Sequence, residues 1–299
     1  MRNSGSEPSP IHASEGDGIR VVVLGNAQDG GVPQMGCMCD NCNRVRAGHE
    51  PVKWVSSLAL IDDAEHLFWI VDATPDFPRQ YDFIVSVIPE DYTFKGMIIT
   101  HAHIGHYLGL VYLGKEALSA SGVPVIGTHS LTGFLSENAP FSQLVELKNI
   151  YLTPMDTFMP IKLSDGLTIQ LLPVPHRNEF SDTVAIQISG LQSSLLYVPD
   201  IDNWDLWPNC DNLLINASIA IIDGTFYDEH ELPNRNRNEI SHPTVVESIK
   251  RFQSIVSSSS TDVYFTHLNH SNCLWSLEME KGINNQGFRV LSQGEQFEL

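Results

Sequence analysis

Three histidines stand within six residues of the segment THAHIGH, at His101, His103 and His106. Imidazole is the most common metal ligand among protein side chains, so this spacing points to metal binding. A glycine, Gly105, stands directly before the third histidine and offers no ligand atom. The segment therefore predicts part of a metal site and raises the question of what the glycine contributes.

Further histidines and aspartates follow apolar, β-branched runs elsewhere in the chain. They are Asp72, Asp76, His176, Asp200, Asp223 and His267. A single polar residue at a strand end is commonly a cap, but strand ends in an α/β protein share one rim, where ligand-binding loops gather. Their recurrence predicts a metal centre at that rim, and imidazole with carboxylate suits Zn, Mn or Fe. Asp72 and Asp76 fit two roles about equally, acceptors for histidine N–H groups or simple loop caps.

A cluster of thiols stands near the start of the chain, in CMCDNC. It comprises Cys37, Cys39 and Cys42. In a reducing compartment the spacing C-x-C-x-x-C indicates a metal site more often than a disulfide framework. Three thiolates leave a tetrahedral zinc one ligand short, so we expect a distant Cys or His as the fourth.

Alternating strands and helices must position these residues. The apolar runs predict strands at 19–25, 54–62, 66–76, 96–103, 123–129, 166–176, 183–190, 193–200, 219–226 and 262–270. Helical spacing predicts helices at 106–121 and 243–256, the second with Pro243 in its first turn. The order of elements indicates an α/β protein.

Charge and composition limit the function further. The chain of 299 residues has a net charge of -19, which excludes broad nucleic-acid binding through a basic surface. A small anionic substrate is compatible with this charge where metal ions supply local positive charge. The sequence shows no clear oligomer interface, so a monomer and a homodimer both stay open.

The amino-terminal residues differ in composition from the rest. Residues 1–18 are rich in Ser, Gly, Pro and Glu, which predicts a disordered tail before a domain at 19–299. They lack the apolar core of a secretory signal, and no apolar run is long enough to span a bilayer. We therefore expect a cytoplasmic protein without a membrane partner, with reduced thiols.

The motif THAHIGH resembles the H-x-H-x-D-H motif of the metallo-β-lactamase superfamily, whose fold is an αββα sandwich of two mixed sheets. The later histidines and the aspartate follow in the order of that superfamily. The resemblance implies two metal sites joined by Asp200. Their ligands are His101, His103 and His176 for the first, and His106, His267 and the shared Asp200 for the second. Three imidazoles with one open position lower the pKa of metal-bound water to about 7.

Gly105 stands where the superfamily motif has an aspartate that ligates the second metal. The loss of this anionic ligand predicts one tightly bound metal and a weak or empty second site. Asp202, two residues after Asp200, is the residue that could reach in and compensate.

A narrower resemblance covers LGNAQDGGVPQMGCMCDNCNRVRAG, which is similar to the pyrroloquinoline quinone (PQQ) biosynthesis protein B family and to phosphoribosyl cyclic phosphodiesterase. The phosphodiesterase holds a structural zinc with its cysteine cluster and a late histidine, which implies His270 as the fourth ligand here. The segments IIDGTFYDEHELP and FTHLNHSN most resemble the quinone family, although the typical form of that family lacks the full H-x-H pair.

Related enzymes also imply that Asp223 orients His242 as a general acid, while capping of the next helix by Ser241 is equally compatible.

Three classes of function follow. The first is a metal-dependent hydrolase that acts on a phosphodiester or cyclic phosphate. The second is a metal-dependent oxygenase or carrier in the biosynthesis of a PQQ-type cofactor. The third is a binding protein without catalysis, which the intact set of metal ligands disfavours. The identity of the catalytic metal separates the first two classes, because iron with oxygen consumption indicates oxidation, whereas zinc or manganese with ester turnover indicates hydrolysis.

Overall fold

The computed structural model describes residues 18–231 and 241–299, so most of the predicted tail lies outside the described residues. The strands of the described part, β1 to β14 in chain order, are Ile19–Gly25, Ser57–Asp62, Leu67–Val71, Thr93–Ile98, Val123–Thr128, Ile150–Met155, Pro160–Lys162, Thr168–Pro173, Val184–Ser189, Ser194–Val198, Ile219–Asp223, Asp262–Thr266, Phe288–Val290 and Gln296–Glu298. The α-helices, α1 to α8, are Asp40–Arg46, Phe77–Val87, Ile104–Tyr107, His129–Glu137, Phe141–Glu146, Cys210–Asn216, Val245–Ser258 and Leu277–Asn284.

The strands form two seven-stranded mixed sheets with the same internal plan. The first sheet has the order β14-β1-β2-β3-β4-β5-β6, and the second has β13-β12-β11-β10-β9-β8-β7. In each sheet three antiparallel pairings on one side give way to three parallel pairings on the other. The two sheets therefore present comparable parallel halves, and the carboxyl ends of their strands can meet at one rim.

Three apolar clusters fill the spaces between four layers. Strand β1 shows the cause, because Val21 and Val23 face the second sheet while Val22 faces the outer helices. Helices α2, α4 and α5 cover the outside of the first sheet, and α6 and α7 cover the second, where Phe252 is fully buried. This architecture confirms the predicted αββα sandwich.

Most of the predicted strands are present, with shorter bounds, but the helix predicted at 106–121 is wrong. Helix α3 ends at Tyr107, a 3₁₀ helix covers Leu108–Leu113, and turns follow. Gly109 accounts for part of this, since a Cβ there would lie 2.2 Å from the carbonyl oxygen of Thr74. The loop therefore packs directly against neighbouring backbone, and its two glycines weaken helix formation.

The second predicted helix begins slightly later than expected. Helix α7 has Thr244 as its N-cap, in a capping box with Glu247, so Pro243 precedes the cap and Ser241 is not the cap. The role of Ser241 as a cap is thus wrong. Among the described helices none is both long and apolar enough to cross a membrane.

Candidate metal centre

The first group of predicted ligands converges where β4 and β8 end. The His103 Nδ1 atom lies 2.9 Å from His101 Nε2 and 3.3 Å from His176 Nε2. The carboxylate of Asp200 is close to two of these rings, 3.6 Å from His101 Nε2 and 3.9 Å from His176 Nε2. Three nitrogens and a carboxylate therefore surround one point.

A second group lies on the other side of Asp200. The Oδ2 atom of Asp200 is 2.8 Å from His106 Nε2 and 3.5 Å from His267 Nε2. Asp29, from the loop after β1, lies 3.6 Å through its Oδ1 atom from each of these two nitrogens. Asp200 thus stands between both groups, and the two groups together with it are called the rim centre below.

Each histidine of the rim centre uses its other ring nitrogen for a contact with oxygen. His106 Nδ1 lies 2.8 Å from Asp72, and His176 Nδ1 lies 2.8 Å from Asp202. The remaining partners are Thr100 for His101 at 3.0 Å, Glu179 for His103 at 3.0 Å and Thr225 for His267 at 3.0 Å. Such contacts fix the orientation and tautomer of metal-binding histidines.

In the second group and at Asp200 Oδ2, the inward-facing atoms lack hydrogen-bond partners. Within residues 18–231 and 241–299, the buried atoms without a hydrogen bond include Asp29 Oδ1, His106 Nε2, Asp200 Oδ2 and His267 Nε2. The 2.8 Å approach of His106 to Asp200 is thus a contact without hydrogen-bond alignment. Four unsatisfied buried atoms around one point cost free energy unless something else binds them, and a cation satisfies all four.

Charge balance leads to the same conclusion. Asp72, Asp200 and Asp223 are buried, whereas the one Arg or Lys among the described buried residues, Arg20, pairs with Asp63 elsewhere. Burial lowers the pKa of His101 well below its usual value, so this imidazole is neutral as a metal ligand must be. The donor set therefore fits one or two divalent cations of the Zn, Mn or Fe type.

The predicted partners of the histidines divide into two classes. Asp72 contacts His106 as predicted, and it also accepts hydrogen bonds from Thr100. Asp76 accepts from the backbone N–H of Val55 at 3.1 Å and contacts no histidine of the described residues, so of its two expected roles the structure shows the one within the loop.

Asp223 and His242 form the predicted pair. His242 Nδ1 lies 2.7 Å from Asp223 Oδ2 and 3.5 Å from Asp200 Oδ1, so the pair borders the rim centre. Burial by itself lowers the pKa of His242, but the charge and hydrogen bond of Asp223 outweigh burial and raise it to about 8. An imidazole that is protonated near neutral pH can donate a proton.

The thiols and His270 also come together; these four residues are called the thiol cluster. His270 Nδ1 lies 3.3 Å from Cys37 Sγ and 3.5 Å from Cys39 Sγ, and Cys42 completes a group of four potential ligands. The backbone N–H of Cys39 donates to Cys37 Sγ and lowers the pKa of that thiol. None of the five cysteines forms a disulfide in the described structure. The cluster fits one tetrahedral zinc.

Four residues of the rim centre or its surroundings were not predicted from the sequence. They are Asp29, Thr100, Glu179 and Thr225. Thr100 and Thr225 adjoin predicted strand ends and could have been found from that position. Asp29 and Glu179 lie in loops with no distinguishing local pattern, so only the tertiary structure identifies them.

Comparisons with known proteins identify the family and the fold. Residues 69–268 match the model of the beta-lactamase superfamily domain. Coenzyme PQQ synthesis protein B of Ruegeria pomeroyi is 26% identical over 288 residues, which cover 86% of this chain and 91% of that protein. Two solved structures have a similar fold. The Zn(2+)-bound PqqB from Methylobacterium extorquens has a TM-score of 0.79, 20% identity and coverage of 94% and 100%. A diphosphatase from the PhnP family has a TM-score of 0.70, 21% identity and coverage of 94% and 97%.

Proposed function

Because this chain belongs to the beta-lactamase superfamily, we propose that it is a metal-dependent enzyme acting on a small molecule in the biosynthesis of a PQQ-type cofactor. The observation that carries the proposal is the convergence of potential ligand atoms on both sides of Asp200, several of which have no hydrogen-bond partner among the described residues. The names of relatives support the pathway, since proteins from several bacteria at 23–26% identity are each called coenzyme PQQ synthesis protein B.

The metal would be held at the rim centre. One ion would bind to His101, His103 and His176, with Asp200 as the shared carboxylate. A bound Zn, Mn or Fe ion supplies Lewis acidity for water or substrate, and iron adds redox chemistry. Asp202 would hold the ring of His176 in place through the 2.8 Å contact at its Nδ1 atom.

A cavity beside the rim centre suits a small substrate. Its volume is about 450 Å³, and Asp29, Ile104, Phe226 and Asn269 contribute to its lining. Pockets of this size are typical of small-molecule sites. Among its described lining residues none is Lys or Arg, so the metal would provide the attraction for an anionic group on the substrate.

Complementation tests the proposed pathway. A bacterium that lacks its own PQQ synthesis protein B is given this chain, and PQQ is quantified by mass spectrometry. We expect quinone formation with the wild-type chain and none with His101→Ala, which removes a ligand of the rim centre. Absence of quinone with soluble, metal-loaded wild-type protein would overturn the proposal.

Hydrolysis of a phosphodiester or cyclic phosphate is the second candidate, and the Asp223–His242 pair favours it. Its 2.7 Å contact keeps a proton on His242 near neutral pH, where a leaving alkoxide needs one. The similarity in fold to a diphosphatase is compatible with this chemistry. We expect His242→Gln to reduce hydrolysis of 2′,3′-cyclic AMP, whose leaving group is an alkoxide, by about 10²–10⁴-fold with unchanged metal content. No turnover by wild-type protein loaded with Zn or Mn would exclude this candidate.

Metal analysis separates the two reactions. Protein purified without added metal is analysed for Zn, Mn and Fe, and oxygen consumption is measured in parallel. Iron together with oxygen consumption supports an oxidative step, whereas zinc or manganese with ester turnover supports hydrolysis.

A further inference from the structure

Gly105 is notable for the space it leaves rather than for its backbone conformation. It lies inside α3 without a positive φ, so the backbone does not demand glycine at this position. A Cβ built on Gly105 would lie 1.9 Å from Asp29 Oδ1 and 2.8 Å from Asp29 Cγ. Such distances are far below van der Waals contact, so any side chain at position 105 would displace the Asp29 carboxylate.

Asp29 occupies that space in a defined orientation. Its side chain is 29% exposed as a whole, but its Oδ1 atom is buried and has no hydrogen-bond partner among the described residues. This atom lies 3.6 Å from both His106 Nε2 and His267 Nε2, which are also buried and unsatisfied. The three atoms have the separations of ligands around a common ion.

The loop that carries Asp29 is held from both sides. The backbone N–H of Gln28 donates to the carbonyl of Leu268, and that of Ala27 donates to the carbonyl of Trp54, both at 2.9 Å. Leu268 in turn donates to the carbonyl of Asn26. These bonds fasten the loop to the residue that follows His267, so Asp29 is positioned before any ion binds.

We propose that Asp29 is the anionic ligand of a second metal site formed with His106, His267 and Asp200. Position 105 is then a glycine because the Asp29 carboxylate occupies the space that a side chain at this position would need. The site then has two neutral imidazoles and two carboxylates, which together balance the charge of a divalent cation. This inference replaces the expectation of a weak or empty second site, which assumed that Asp200 was its one carboxylate. Asp202 does not compensate, because it contacts the outer nitrogen of His176.

The proposal rests on the proposed metal centre but not on the pathway or the substrate, and metal alone is the probe. Apo-protein is titrated with Zn²⁺ or Mn²⁺ by calorimetry, and metal per chain is measured after dialysis. For the wild type we expect two tight sites in the rim centre besides the zinc of the thiol cluster. We expect Asp29→Asn to weaken one of them by at least about 100-fold, because loss of an outer contact already costs 10–100-fold. Asp82→Asn, on the exposed surface of α2, is the control for the change in net charge.

Two alanine variants and one double variant test whether Asp29 needs the space beside Gly105. Gly105→Ala should also weaken the second site, by at least about 10-fold, because its methyl group displaces Asp29. Gly133→Ala is the matched control, since a Cβ at that helical glycine meets nothing within 4 Å. In the exchanged double variant Asp29→Gly/Gly105→Asp the carboxylate comes from the helix side, and we expect second-site affinity within about 10-fold of wild type.

Three results would overturn the proposal: a single tight rim-centre site in the wild type, unchanged second-site affinity in Asp29→Asn, or a double variant as weak as Asp29→Asn. Retention of the thiol-cluster zinc in every variant shows that the fold is intact. The titration tests the second metal site, and complementation tests the proposed pathway. A negative result in one experiment does not change the other, so the metal site and the pathway are tested separately.

Discussion

The rim centre and the thiol cluster share two stretches of the chain, residues 29–42 and 267–270, and are built in opposite ways. In the rim centre most side chains are buried, two are carboxylates, and several inward-facing atoms have no hydrogen-bond partner among the described residues. The thiol cluster is half-buried near the surface, and its sulfurs accept backbone N–H groups, as in the contact from Gln34 to Cys42 at 3.3 Å. Small apolar residues, Ala27, Val32 and Val45, pack around it.

This difference separates two uses of a metal. A closed set of three thiols and one imidazole has no free position, which is typical of structural zinc. A set of imidazoles and carboxylates beside a cavity leaves room for substrate, which is typical of catalytic sites. Substitutions in the rim centre should therefore affect activity, and substitutions in the thiol cluster should affect stability.

The largest effect should follow His101→Ala. Loss of this ligand is expected to abolish quinone formation and to remove metal from the first site, while Tm of the metal-free protein changes by no more than about 3 °C, or roughly 1 kcal/mol. The exposed His129→Ala is the control. Normal activity in His101→Ala would contradict the assignment of catalysis to the rim centre and of a structural role to the thiol cluster.

Cys39→Ser should have the opposite signature. It is expected to remove one zinc per chain and to cost about 3 kcal/mol or more, since loss of a metal is among the most destabilising classes of substitution. At about 2–4 °C per kcal/mol, Tm falls by roughly 6–12 °C. Calorimetry and metal analysis provide the measurement, with Cys273→Ser, outside the cluster, as control. Unchanged zinc content would contradict a structural zinc at this position.

Asp202→Asn should have an intermediate effect within the rim centre. A neutral amide oxygen accepts the Nδ1–H of His176 less strongly than the carboxylate and does not stabilise the charge on the metal-bound ring, so affinity at the first site should fall by about 10–100-fold. Competition with a chelator measures this change. Asp205→Asn, which lies nearby but pairs with Arg251, should leave affinity unchanged. Equal effects of the two variants would show that only net charge matters.

The smallest effect should follow Asp76→Asn. Burial raises the pKa of Asp76, so the fold does not favour its charge, and the Val55 N–H can still donate to an amide oxygen. We expect a loss of about 1 kcal/mol or less with normal metal content. Asp72→Asn, only four residues earlier, should instead weaken metal binding through His106. Similar metal content in both variants would contradict the distinction between them.

The sequence predicted much of this site because its ligands follow apolar strands. The buried runs before His101, His176 and Asp200 identify strands by pattern, and the sheet plan brings their ends together. Asp29 escaped prediction because it stands in a glycine-rich turn, where aspartate usually serves the turn itself. Its contact with the space above Gly105 joins residues that are distant in sequence, and no local pattern encodes it.

Some elements of the fold could not be predicted from local sequence patterns either. Strands β13 and β14 have three residues each and are too short to show alternation, so their pairing depends on neighbours far away in the chain. The glycines at 109 and 114 convert an apolar helical spacing into a 3₁₀ helix and turns. Apolar spacing alone does not distinguish these outcomes when close backbone packing decides.

The spacing of His267 and His270 has a thermodynamic consequence. One residue belongs to the rim centre and the other, three positions later, to the thiol cluster, and Asp29 precedes Cys37 by eight positions. An ion bound by the thiols would restrict the same two loops further, beyond the backbone hydrogen bonds that fasten them, so less entropy would be lost when the second metal binds. By thermodynamic reciprocity, metal bound at the rim centre would raise the affinity of the thiol cluster for zinc by the same factor. We therefore expect metals at the thiol cluster and at the rim centre to bind cooperatively, because their ligands His267 and His270 are only three residues apart.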